Sequence, residues 1–548
     1  MSETGTTAGP TRSQVWLART GRALSGLAVL GLTVVVVVAG ARAPGTDETV
    51  ATTVVPVPPT ASTLVCAGPL IQPDDTGRGD SAFDPTPVEP VTAVTVVTSV
   101  PDKDGSSAGT VAPLDRSAVT ATLAPGGTAA VVPDVTGAQV VRAEPGTAPA
   151  RVAASSAGLV TAGDLRGLAA ASCQEPTADA WLLGGATDLS STAQLVLSNA
   201  GSTPAEVTLA IWGPSGPADL TGERFLVAPG AQRVVVLGGI AAEQRRLAVH
   251  VSATGGRVGV HLQDSAIDGF TPAGTELVVP GEAPARRQVV PGISVVDSNV
   301  GDASAPALRL VAPGDTGTTA RVTLLGPEGV TVLPGAESVA LAPGEVTDVP
   351  LGGLPAGSYT AVVDADQPVL ASAVVTRPGS VGELDDVPSV ERAWAASTAV
   401  GRSGVVAVPT GTRGKLVAGA VASGEDPAAT GAATATLRLL GADGSVLAER
   451  RLTLDAGTTG TWSLDKLATG TGDVVLPEPG ASTGRGAPAG VVGMDLVTDE
   501  GADVAVVWAL VAESNEDDGV LVSVLDPVPV APTTPDVAVR EDPRLGTR

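Results

Sequence analysis

The chain has 548 residues, enough for three to five domains, and its 43% hydrophobic content excludes wholesale disorder. The net charge of −26, with 32 basic against 58 acidic residues, opposes binding to phosphate backbones, and no basic patch interleaved with aromatics offsets it. Valine-rich runs punctuated by 68 glycines and 45 prolines read as short strands and turns, so the expected class is all-β.

Residues 1–22 are polar, carry Arg12, Arg19 and Arg22, and read as a cytoplasmic tail. Residues 23–41 form an uncharged, mostly apolar run long enough to cross a bilayer as one helix. Basic residues before it and Asp47 and Glu48 after it place the remaining chain outside the membrane. The alternative is a signal peptide cut at Ala39-Gly40-Ala41 or Ala41-Arg42-Ala43, which would leave a secreted protein. Residues 42–61 are rich in Pro, Thr and Val and read as an extended stalk.

Beyond the stalk one turn recurs. It is Leu123-Ala124-Pro125-Gly126, then Val227-Ala228-Pro229-Gly230, then Leu341-Ala342-Pro343-Gly344, and, without proline, Leu454-Asp455-Ala456-Gly457. Its glycines are 104, 114 and 113 positions apart (230−126, 344−230, 457−344), a domain-sized period. The reading is four tandem β-domains, 62–176, 177–290, 291–390 and 391–524. Each is an immunoglobulin- or fibronectin-like antiparallel sandwich. The last three are expected to close with a hairpin, as in Leu247–Thr254, Gly255-Gly256, Arg257–Gln263. Residues 525–548 have little apolar content and are expected to be disordered.

Residues that could carry chemistry are sparse. Cys66 and Cys173 flank the first domain, and a lone pair in an oxidising compartment is most simply one disulfide; the rival is two free thiols, without CxxC spacing. Under the hairpin register above, His250 faces His261 (residue numbers summing to 511), on the face opposite Val249, Val251 and Val260. Two imidazoles without a third ligand make a poor zinc site, and no Ser-His-Asp or phosphate-loop arrangement is legible. No cofactor is expected. Asp102-Lys103-Asp104-Gly105 imitates a calcium loop but has Pro113 where the glutamate belongs, so a plain turn is expected. Asp385-Asp386 and Glu516-Asp517-Asp518 read as solvated loop charge, or as calcium bridges between domains. Trp181, Trp394, Trp462 and Trp508 are expected in cores. Trp212 is out of phase with Val207, Leu209 and Ile211 and is the best candidate for an exposed, ligand-contacting aromatic.

The motif from Cys173 to Trp181-Leu182-Leu183-Gly184-Gly185, with Cys66 near the start of the β-region, resembles an uncharacterised actinobacterial family of secreted, membrane-anchored proteins of unknown function. Ala67 stands after Cys66 where that resemblance leads one to expect proline. The resemblance implies an extracytoplasmic location and brings no catalytic residue. The expected function is a non-enzymatic cell-envelope scaffold or adhesion protein, a rod of four sandwiches on a membrane anchor, with envelope proteins or wall glycan as partners. The alternatives are a cell-wall glycan-binding module and a carboxylate-dependent glycoside hydrolase.

Overall fold

The computed structural model describes residues 12–42, 52–55, 58–72, 87–99, 108–302, 304–333, 335–381, 386–424, 430–470, 490–499, 501–530 and 537–540. They belong to two compact units, Met1–Val57 with Pro535–Arg548, and Pro58–Thr534. The imitation calcium loop at 102–105 and Asp385 lie outside the described residues.

The smaller unit holds an α-helix over Arg12–Arg42 and a two-stranded antiparallel ribbon in which Thr52–Val55 pairs with Val537–Arg540. Residues 42–61 read as an extended stalk, and the ribbon corrects the expectation of a disordered tail at Val537–Arg540: β-branched Thr52, Thr53, Val54 and Val55 meet a valine-containing partner, a composition suited to a ladder. The described apolar side chains of the helix, Leu24 to Val38, are exposed. Among the described residues no helix is long and apolar enough to cross a membrane.

The larger unit is built from one eight-stranded plan used four times. In the first repeat the strands are Ser62–Cys66, Val91–Ser99, Gly109–Pro113, Ala121–Leu123, Thr128–Val132, Gln139–Ala143, Arg151–Val160 and Gly167–Ser172. The first, sixth, third and fourth strands form one antiparallel sheet in that order; the fifth, second, seventh and eighth form the other. The same two orders recur in the other three repeats. Alternation supplies the core: in Ala205–Gly213, Ala205, Val207, Leu209 and Ile211 are buried while the residues between them are not.

The expected closing hairpins are not hairpins. Ala248–Thr254 pairs with Ala205–Gly213 and Asp179–Leu183, whereas Gly259–Asp268 pairs with Ser191–Ser198 and Thr271–Val278. Gly255-Gly256 therefore carries the chain from one sheet to the other. The third repeat does this within the continuous run Gly357–Val381, and the fourth between Val491–Thr498 and Val504–Glu516. A glycine at φ +77° serves such an arch as well as a hairpin, so the dipeptide does not choose between them. Val528–Pro529, expected in the disordered tail, instead pairs with the first strand of the fourth repeat, and Val528 is buried.

The repeats do not form a rod. Buried apolar clusters cross every junction, including Val405, Ala407 and Leu440 of the fourth repeat in the core of the first. The recurring turn explains the joint. Its glycines have φ between +69° and +92°, and each turn packs on the connection between the third and fourth strands of the preceding repeat. A methyl group on Gly230 would lie 3.4 Å from Asp115 Cα, one on Gly344 3.0 Å from Trp212 Cδ1, and one on Gly457 3.4 Å from Val330 Cγ2. The cycle closes from the first repeat onto the fourth, where a methyl on Gly127 would meet Gly444 O at 2.9 Å.

Candidate functional site

The eighth strand lies at a sheet edge in the first three repeats, and in the fourth it meets a further strand only at Gly519, opposite Gly379, so each carries backbone N–H groups with no ladder partner. These four edges converge. Gly167–Ser172, Thr271–Val278, Pro388–Ala396 and Gly519–Leu525 contact one another in a closed circuit, without a hydrogen-bonded ladder joining all four. Small residues allow the approach, and all six residues of Gly167-Leu-Ala-Ala-Ala-Ser172 are buried.

Carboxylates take the place of the ladder. Glu391 Oε1 accepts from Leu168 N–H of the first repeat (2.8 Å) and Val522 N–H of the fourth (3.4 Å). Glu276 Oε1 accepts from Ala170 N–H (3.1 Å) and Leu277 N–H (2.8 Å). Ser523 Oγ donates to Ala170 O (2.7 Å). Leu168 and Ala170 are two apart, so both N–H groups point away from the seventh strand and into this hub. Burial pushes the Glu391 carboxyl up to about 8 and that of Glu276 well above the usual range; Arg166 acts in the opposite direction on Glu391. Arg166 in turn pairs with Asp518. Asp518, expected as loop charge or a calcium ligand, is thus an ion-pair partner between repeats. Trp394 Nε1 donates to buried Asp264 (3.0 Å), and Arg309 stacks over the Trp394 ring at 4.7 Å while forking onto Asp348 at 2.8 and 3.0 Å.

Chemically this hub holds strands together. Glu276 and Glu391 are 1% and 0% exposed, so no polymeric substrate reaches them, and their Oε1 atoms are engaged by backbone. Sequence reasoning missed them. The legible signal was a carboxylate within a strand, Glu276 directly before Leu277-Val278-Val279 and Glu391 directly after Val390 and beside Arg392.

The sequence-selected aromatic sits elsewhere. Trp212 is half-buried and stacks on Trp181 at 5.3 Å; His250 also stacks on Trp181, at 4.0 Å, and bonds Asp179 at 2.9 Å. Trp181, Trp212 and His250 come together because their three strands are neighbours, with His250 opposite Trp181 and Ala210 in register. His261, on the other sheet opposite Val196, does not face His250, which corrects the cross-strand pair. Both histidines still point away from the core, as the phase of Val249, Val251, Val260 and Leu262 requires. Among the described residues no group of three or more His, Cys, Asp or Glu could hold a metal ion. Trp394, Trp462 and Trp508 are buried in cores; Trp181 is half-buried. Cys66 and Cys173 are joined in a disulfide, and both are buried.

A family profile, DUF5719, described as a family of unknown function, matches residues 128–465, more than half of the chain. The chain belongs to this family. The matched span runs from the fifth strand of the first repeat to the short helix Leu464–Thr469 in the fourth, so it covers three of the four hub strands. No curated protein matches. The crystal structure of Thermotoga maritima 1070 is similar at 18% identity, covering 21% of this chain and 95% of that one with a TM-score of 0.16.

Proposed function

We propose that this is a non-enzymatic extracytoplasmic scaffold of the cell envelope, with four immunoglobulin-like sandwiches locked into one rigid body. The observation that carries this reading is the use of the ionisable residues: the Glu276 and Glu391 carboxyls and the Arg166–Asp518 ion pair tie repeats to one another and are spent on assembly. A rigid body of this kind presents many loops in fixed relation, which suits holding several partners. The Cys66–Cys173 disulfide suits an oxidising compartment. The uncharged run at residues 23–41, with its described side chains exposed, supports a membrane anchor with the N-terminus in the cytoplasm. The charge of −26 argues against nucleic acid as a partner.

Glycan binding is the second reading, favoured by the half-buried Trp181–Trp212 stack with Asp179 and His250 beside it. Crosslinking of the tagged full-length protein in living cells, with membrane, wall and medium fractionated, separates the two. The scaffold reading expects membrane recovery and reproducible crosslinks to envelope proteins. Recovery in the wall without protein partners, with release by glycan digestion, would overturn it in favour of glycan binding. A shortened protein in the medium would remove the anchor.

A further inference from the structure

Where the first and second repeats meet, a pocket of about 100 Å³ opens over the outer face of the sheet containing Ser191–Ser198 and Gly259–Asp268. Its walls include Ile71 and Leu165 from the first repeat and Leu189 from the second. Leu189 is 97% exposed and stands at the mouth. Gln194 and Gln263 are opposite each other in register, and the pocket touches both. They behave differently. The Gln263 amide is satisfied by Ile71, accepting from its N–H at 2.8 Å and donating to its C=O at 3.0 Å. Gln194 is 8% exposed, and among the described residues its Oε1 has no hydrogen-bond partner; the Ser265 hydroxyl, also lining the pocket, has none among them either. A buried acceptor left empty costs about 1–3 kcal/mol, so the arrangement calls for a donor.

Asp164 supplies the charge. It lines the same pocket, is half-buried, and has no ion pair among the described residues. Burial raises its carboxyl above the usual range, the condition of an anion lacking a counter-charge. We propose that the pocket binds a primary alkylammonium group, such as a lysine side chain of a peptide, with the ammonium toward Asp164 and Gln194 Oε1 and the stem against Ile71, Leu165 and Leu189. An ammonium offers three donors and accepts nothing, which fits a carboxylate and an orphaned carbonyl. The volume accommodates a stem of a few carbons, and a chain of net charge −26 attracts cations. The chain has only three lysines of its own, Lys103, Lys415 and Lys466, against 58 carboxylates, so the ligand is sought outside it.

Saturation-transfer NMR on the full-length protein with n-butylammonium chloride, and with n-butanol as the uncharged probe, tests this. The expected result is transfer to the butylammonium methylenes with much weaker transfer to butanol. Affinity should fall about tenfold in Asp164→Asn and in Gln194→Met, with the unfolding midpoint unchanged in the first and not lowered in the second. Equal transfer to butanol, no transfer to either probe, or unaltered binding in both folded variants would overturn the assignment. If Gln194→Met fails to fold, Asp164→Asn alone decides it, since its side chain is half-buried and isosteric.

Discussion

Gly344 concentrates two demands on one residue. Its φ of +70° disfavours a side chain, and a Cβ there would lie 2.9 Å from Pro217 Cδ and 3.0 Å from Trp212 Cδ1 of the preceding repeat. Gly344→Ala is expected to lower stability by about 1–3 kcal/mol, read as a shift of the urea midpoint. Gly335→Ala is the comparison: its φ is +85° but nothing lies within 4 Å, so it should lose only the backbone part, about 1 kcal/mol. Glu391 gives a pH signature. Burial is the main cause of its raised carboxyl, against backbone bonds and the charges of Arg166 and Arg392. Folded, it keeps a proton up to about pH 8 that the unfolded chain releases near its ordinary 4.5. The native state therefore binds more protons between these values, and stability falls as pH rises through that window. Glu391→Gln should flatten the fall, by on the order of a few kcal/mol across the window, in unfolding curves taken at pH 5 and pH 8. A variant with the wild-type slope would remove Glu391 from this account.

At the scale of the strand, Gly167–Ser172 is the element most constrained by neighbours. Ala170 is 1% exposed, lies in the core shared with the fourth repeat, and bonds through both N–H and C=O to other repeats. Ala170→Leu is expected to cost about 1–3 kcal/mol by overpacking, and thermal unfolding should show it. This element also marks the limit of what the sequence discloses. Strands with strict alternation, such as Val207–Trp212, could be read, and so could the four turns with their glycines. Gly167-Leu-Ala-Ala-Ala-Ser172 has no alternation, because both of its faces are buried, and so it leaves no period-two trace. The arch at Gly255-Gly256 was indistinguishable from a hairpin because glycine permits both, and only long-range pairing decides.

For the whole unit, closure is the property that no local pattern could announce. The repeat period showed four copies of one plan, but a period is equally compatible with an open array. Closure rests on particular pairs. Asp495 of the fourth repeat is fully buried and is held by Ser99 (2.6 Å) and Arg151 (3.0 Å through Nε), both from the first. Arg151→Ala would leave that carboxylate with Ser99 and the more distant Arg438 (3.9 Å), and a loss of up to about 3–5 kcal/mol is expected in denaturant titration. The site residues were legible in proportion to how local their roles are. Cys66 and Cys173 could be paired by counting, and Trp212 could be singled out by phase. Glu276 and Glu391 act on backbone more than a hundred residues away, so their partners appear only when the repeats close.

The central claim is that residues 58–534 form one closed body. Small-angle scattering of that segment measures it most directly. A compact chain of this length has a radius of gyration of about 23 Å, whereas four separate sandwiches strung end to end would give roughly 40 Å. A value near the first, unchanged with concentration, is predicted. A value near the second, with the elongated distance distribution of a rod, would contradict the closed arrangement and return the protein to an open array of independent repeats.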